Sequence, residues 1–396
     1  MTEEQLEAYA EIAVRVGANV QSGQEVFVHS LVEHAPVTRA LARQAYRAGA
    51  SYVNVVYSDM RGFIQRAMIE VGPDEALTYS PEWLKAFVGS MSGQALLATT
   101  GEPDPEAAAA LDGERLGRSV MLEVAEIRHR QHRENSVNWC GIGAPTEGWA
   151  RQIYGEPDVE RLWNDIAVCM RLDEPDPVQA WRDHLARLHA RGAVLTELRP
   201  DALRYRGPGT DLTVGLFPSA RWMSAGFETA GGVDYVANMP TEEIFTTPDP
   251  RRADGTIRSS LPLSLGGQVI VGLELTVRDG RIVGVDAEQG AEIVRSQLET
   301  VENADRFGEL ALVTGDSRVG RTGTTFFNTL FDENATCHIA YGAGLPYPFE
   351  GEPDPAINVS NIHTDFMVGG PELEVDALLA DGSAVPLIRD ETWQLA

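Results

Sequence analysis

The stretch from residue 23 to residue 59 constrains this chain most. GQEVFVHS is a short apolar run after a glycine turn. APVTRALARQAYRAGA carries Leu41, Ala45 and Ala48 at helical spacing, and SYVNVVYSD returns to an apolar run. Strand, helix, strand in that order is a βαβ unit, whose crossover brings the chain back to the same end of the sheet and makes the strands parallel. Helices cover both faces of such a sheet, so the first half is expected to be a layered α/β domain. Further strands are expected at QALLATTG (94–101) and SVNWCGIGAP (136–145), and helices near 82–90, 115–132, 146–154, 158–170 and 177–191. AAAALDG (107–113) reads as a small helix or loop, and DEPDP (173–177) as an acidic, proline-rich linker.

Beyond about residue 195 the pattern changes. LRYRGPGTDLTVGL and GQVIVGLELTVRDGRIVGVDA alternate β-branched with polar residues, and RDGR reads as a two-residue hairpin turn. The expected architecture is an α/β N-terminal domain with a parallel sheet over 1–190 and a strand-rich α+β C-terminal domain over 191–396. At roughly 100–200 residues per domain, a chain of 396 residues suits two.

Composition narrows the partners. A net charge of −27 would repel nucleic acid and anionic membrane surfaces, so neither is expected to bind. The surplus carboxylates read chiefly as a solvated surface. No apolar run reaches the ~18 residues of a membrane span. The acidic, amphipathic start MTEEQLEAYAEIAVRVGANV reads as a folded helix rather than a signal peptide. Cys140, Cys169 and Cys337 are odd in number and far apart, which suits neither a disulfide framework nor a thiolate zinc site. A cytoplasmic protein is expected.

Several motifs are set aside on spacing. GDSRVGRT (315–322) has Arg321 where a phosphate-binding loop needs lysine, and it lies in strand-rich sequence. His29 and His34 in HSLVEH are five apart, whereas a zinc-binding helix pairs histidines at i and i+4. RHRQHRE (128–134) surrounds His129 and His132 with arginines, a solvated basic face, and His184 and His189 are read in the same way.

Two histidines stand apart. NTLFDENATCHIAYG holds Asp332, Glu333 and His338, and SNIHTDFMVGGPELEVDAL holds His363 and Asp365 at i, i+2. On a strand that spacing puts both side chains on one face. An imidazole beside a carboxylate suits Zn²⁺, Co²⁺ or Mn²⁺, although a strand-edge histidine bonded to its neighbour would look alike. Glu242 and Glu243 in NMPTEEIFTTPD and Glu309 in RFGELALV sit within apolar segments, where a carboxylate is costly unless paired or bound to a cation.

NMPTEEIFTTP, GELALV, FFNTLFDENATCHIA and IHTDFMVGGPELEVDALLADG, in that order, resemble the metallo-aminopeptidase family of the aminopeptidase T and aminopeptidase S type. AEIAVRVGANVQSGQEVFVHS, GASYVNVVYSD and GPGTDLTVGL extend the resemblance over nearly the whole chain. It implies a hydrolase with two divalent metal ions (Zn, Co or Mn) that removes N-terminal residues from peptides with a free N-terminus. It also implies a homodimer enclosing a large cavity. Carried over by position, the metal ligands fall on Glu243, Glu309, Glu333, His338, His363 and Asp365, and the catalytic groups on Glu309 and Tyr347. The loop AYGAGLPYPFEG departs from the family's length, so Tyr341 is a second match for the tyrosine. Two other readings are an iron-dependent ring-opening dioxygenase of dihydroxypyridines, with a single metal, and a catalytically silent binding protein on the same scaffold. Three glutamates alongside the histidines favour two metals and hydrolysis.

Overall fold

The computed structural model describes residues 1–58, 64–101, 111, 112, 115, 118, 119, 121–265 and 268–395. AAAALDG, apart from residues 111 and 112, lies outside the described residues. The chain divides into two compact units, one of 1–182 with 226–240 and one of 183–225 with 241–396.

The first unit holds a five-stranded sheet in the order Asn238–Met239, Asn138–Gly143, Ala95–Thr100, Glu25–Leu31, Tyr52–Ser58, with every pairing parallel. Val26, Phe27 and Val28 are consecutive and buried, the signature of a parallel strand covered on both faces. The crossover helix Ala35–Arg47 buries Val37, Ala40, Leu41 and Ala45, spaced to form one stripe. At the start of the chain Thr2 caps the helix Glu3–Ile12: its hydroxyl accepts the Gln5 N–H, and the Gln5 side chain accepts the Thr2 N–H. The helices Glu82–Gly89, Glu147–Tyr154 and Val159–Cys169 fall where expected. Where a helix is expected over 115–132, residues 115 and 118 are helical and the helix Leu122–Arg133 follows; the last runs Pro177–Leu198, past its expected end. The helix Ile64–Val71 was not anticipated.

The second unit is built from antiparallel strands. Its eight-stranded sheet runs Arg281–Asp286, Glu274–Arg278, Pro248–Arg258, Thr210–Leu216, Ala202–Gly207, Glu374–Leu378, Ala384–Arg389, Thr392–Trp393. The RDGR turn is a two-residue hairpin in which Arg278 pairs with Arg281. Asp279 and Gly280 have φ of 49° and 74°, the left-handed pair that this tight turn requires. A five-stranded sheet runs His363–Met367, His338–Gly342, Phe307–Leu312, Ile244–Thr246, Met223–Ser224. Leu203, Tyr205, Leu212 and Val214 of the larger sheet share one apolar core with Phe307, Leu310, Ile339 and Phe366 of the smaller. The fold class is therefore as the sequence indicated: a parallel α/β region followed by a strand-rich α+β region. Among the described residues no helix is long and apolar enough to cross a membrane.

Candidate metal centre

Strand register explains how acids far apart in sequence share one site. On the smaller sheet of the second unit, Glu309 pairs with Ala340, and Ala340 pairs in turn with Asp365. His338 lies two residues from Ala340, and His363 two residues from Asp365. All four functional side chains therefore share a face. Ile244 pairs with Leu312, so continuing the register places Glu243 opposite Val313, on the parity of Glu309. Ala340, which has only a methyl side chain, stands at the centre of this row.

The result is two groups of ligand atoms, each within a 4.8 Å span: Glu243, Glu309 and His338, and Glu309, His363 and Asp365. Glu309 belongs to both. His338 Nε2 lies 3.0 Å from Glu243 Oε2. His363 Nε2 lies 2.9 Å from Glu309 Oε2 and 3.4 Å from Asp365 Oδ1. His363 Nδ1 donates to the Ala343 carbonyl at 2.8 Å, which fixes the ring and directs Nε2 at the carboxylates. A glycine allows this. Register shifts between Phe307 and Glu309, and a Cβ on Gly308 would lie 2.1 Å from the Ala343 oxygen. The bulge both aims Glu309 and admits the carbonyl that orients His363.

Electrostatics mark this face as a place for positive charge. Burial alone would lower the His338 pKa, but Glu243 beside it and the charges of Asp365 and Glu309 raise it to about 10. Burial likewise opposes charge on His363, yet Asp365 and Glu309 raise it to about 12. Burial raises Glu309, partly offset by His363. Asp365 is held below its ordinary value because His363 outweighs the opposing effect of burial. His338 Nδ1 is buried and has no hydrogen-bond partner. Buried polar atoms are rarely left so, and mixed imidazole and carboxylate donors without thiolates fit Zn²⁺, Co²⁺ or Mn²⁺.

Five of the six expected ligands thus fall in the two groups. The sixth, Glu333, follows the short helix Thr329–Asp332 and belongs to neither group. Its carboxyl is raised well above the usual range, first by burial and then by the charges of Asp365 and Glu243, so it faces the same cluster. Its neighbour Asp332 serves the backbone: its oxygens accept the N–H groups of Phe326 at 2.7 Å and Asn328 at 3.0 Å. Tyr347 is partly buried in the loop after His338–Gly342. Tyr341 is fully buried, and its hydroxyl donates to Gln297 Oε1 at 2.5 Å.

His29 and His34 of the first unit lie on a strand and in a short turn. His129, His132 and His189 are exposed, as their arginine-rich settings suggested. His184 is not. It is 5% exposed, its Nε2 lies 2.9 Å from the Thr241 carbonyl oxygen and 3.3 Å from Glu242 Oε2, and the reading of it as a solvated basic face is corrected. The missed signal was helical spacing, since Val178, Trp181, His184, Leu188 and Leu195 form one buried stripe.

The sequence matches the thermophilic metalloprotease family M29 over residues 2–393, and the chain belongs to that family. It is thereby a metal-dependent protease by class, and the ring-opening dioxygenase alternative is not carried forward. The chain is 40% identical to aminopeptidase T of Thermus aquaticus, with 98% of each chain covered, and 36% identical to aminopeptidase PepS of Streptococcus thermophilus, again with 98% of each covered. The solved structure of wild-type AmpT from Thermus thermophilus superposes with a TM-score of 0.90 at 36% identity, covering 99% of both chains.

Proposed function

We propose that the protein is an aminopeptidase whose site takes two divalent ions side by side, Zn, Co or Mn, and releases the first residue from peptides with a free N-terminus. The observation that carries this is Glu309, whose carboxylate is common to both ligand groups. The names of the relatives support the substrate class. In this reading Glu243 and His338 would hold one ion and His363 and Asp365 the other, with Glu309 available to both and Glu333 completing the set.

When bound, the ions would lower the pKa of a shared water and polarise the scissile carbonyl. The remaining work falls to the chain. Glu309 is the catalytic carboxylate, on the same sheet face as Ala340. The Tyr347 hydroxyl donates to the oxyanion that forms as the carbonyl is attacked. A carboxylate of the cluster carries the water proton to the leaving amine. The surplus of acids over imidazoles favours the α-ammonium group of a peptide N-terminus.

The same reading includes a 1–190 α/β domain, a 191–396 catalytic domain and a homodimer. It also includes cytoplasmic residence, supported by three buried, free cysteines. The test is to strip metal with a chelator and assay leucine-p-nitroanilide after adding back Co²⁺, Zn²⁺ or Mn²⁺. Restored cleavage is expected, and none with any of the three ions would overturn the reading. Elemental analysis finding one ion per chain would remove its two-ion part.

A further inference from the structure

We propose that His184 is a positioning residue for the metal centre, acting through a single peptide group that presents Glu243. The inference rests on the two-ion reading above. The residue lies on the buried stripe of the helix Pro177–Leu198, outside the five-stranded sheet that carries the candidate ligands.

Its hydrogen bonds fix its form. Nε2 faces two acceptors, the Thr241 carbonyl oxygen at 2.9 Å and Glu242 Oε2 at 3.3 Å, so Nε2 carries the proton. Nδ1 accepts from Arg187 Nη2 at 3.4 Å. The Thr241 carbonyl is one end of the peptide group joining residues 241 and 242. The other end, the Glu242 N–H, donates to Asn334 Oδ1 at 2.7 Å. Asn334 is 1% exposed and is itself held: its Nδ2 donates to the Leu330 carbonyl at 3.0 Å, and its own carbonyl accepts from Ser317 Oγ at 2.6 Å. Asn334 Nδ2 also lies 3.5 Å from Glu333 Oε1.

One peptide plane is therefore pinned at both ends by buried side chains, and the next residue is Glu243. A peptide group held at both ends cannot rotate about the chain direction, and that rotation would swing the Glu243 Cα–Cβ bond away from His338. His184 thus confines the Glu243 carboxylate where an ion can use it without touching that ion. Partners that orient a ligand in this way typically change metal affinity by about 10–100-fold when removed. Because Glu243 belongs to one ligand group only, the effect should fall on one of the two ions.

The experiment titrates metal-free full-length protein with Co²⁺ by calorimetry and follows the visible absorption of the bound ion. The site that Glu243→Gln removes identifies the Glu243 group. His184→Leu is expected to weaken that site by about 10–100-fold and leave the other within about threefold. His184→Gln, whose amide can reach the Thr241 carbonyl, is expected to restore it. If His184→Leu does not fold, His184→Asn, too short to reach, takes its place against His184→Gln. Wild-type affinity at both sites would overturn the proposal, as would an equal loss at both sites with no rescue by glutamine, which marks a merely structural role. A wild-type protein that takes up only one Co²⁺ ends the two-ion reading instead. His184 is then judged on that ion, with weakening supporting the proposal and no change overturning it.

Discussion

His29 and His34 in the first unit and His338 and His363 in the second are the same side chain in similarly sheltered places, with opposite behaviour. His34 is 1% exposed, and its Nδ1 lies 2.8 Å from the Thr99 hydroxyl. Burial lowers its pKa to about 4. Burial, with the charge of Arg128, likewise lowers His29 to about 4, and that ring stacks on Phe87 with centroids 6.3 Å apart. No carboxylate accompanies either ring in these contacts. In the second unit burial acts in the same direction, yet carboxylates overturn it and raise the two histidines to about 10 and about 12. A shielded imidazole is therefore not in itself a metal ligand. It becomes a candidate ligand where the fold has gathered enough negative charge to call for a cation, a proton or a metal.

The strongest way to break this contrast is to remove the carboxylate that both ligand groups share. Glu309→Gln should lower kcat/KM on leucine-p-nitroanilide by on the order of 10³-fold, about 4 kcal/mol of lost transition-state stabilisation. The metal-free variant should unfold at no lower temperature than the metal-free parent, because burial and neighbouring acids already disfavour the Glu309 charge. Paired assay and thermal unfolding read both effects, and an unchanged rate would remove Glu309 from the mechanism.

The next test sharpens the first unit's side of the comparison. For His34 the unfolded pKa is 6.5 and the folded value about 4, so between these values the unfolded chain binds more protons. Stability is then full above pH 6.5 and falls as pH drops toward 4, by on the order of 3 kcal/mol for this group. His338 and His363 carry the opposite sign in the metal-free protein: their contribution is complete below pH 6.5 and is lost as pH rises through about 10 for His338 and about 12 for His363. Asp332, raised to about 7 by burial, also titrates near this window with a slope opposing that of His34. His34→Asn keeps a partner for Thr99 and removes the titration. Urea unfolding from pH 4 to 7 should therefore show the variant losing less stability on acidification than the parent. Parallel curves would show that His34 is not held neutral.

Much of this was legible in the sequence, for local reasons. The spacing of His363 and Asp365 puts them on one strand face, and a glutamate directly before LALV is costly without a cation. Distance along the chain hid the rest. The parity that joins Glu309 to Asp365 exists only through Ala340, on a strand lying between them. Asp332 and Glu333 are adjacent acids in the same short segment, and only the folded turn assigns one to backbone N–H groups and the other to the cluster. His184 was readable but misread, because the arginines around it outweighed the apolar spacing of Trp181 and Leu188.

The last test asks whether the second unit's histidines owe their state to the backbone as well as to charge. His363 is aimed by the Ala343 carbonyl, which can approach only because residue 308 has no side chain. Gly308→Ala would set a Cβ 2.1 Å from that oxygen, so the carbonyl, the bulge or both must move. Neither is a flexible side-chain end, and forced overpacking of this kind costs about 1–3 kcal/mol, measurable by urea unfolding. Moving the carbonyl also frees the His363 ring, and loosening a ligand's orienting partner weakens metal by about 10-fold or more. The loss should fall on the group containing His363 and Asp365, whereas His184 acts on the group containing Glu243. Co²⁺ titration of the variant reads which ion is affected. An ion bound as tightly as in the parent, at unchanged stability, would mean that carboxylate charge alone sets the two units' histidines apart.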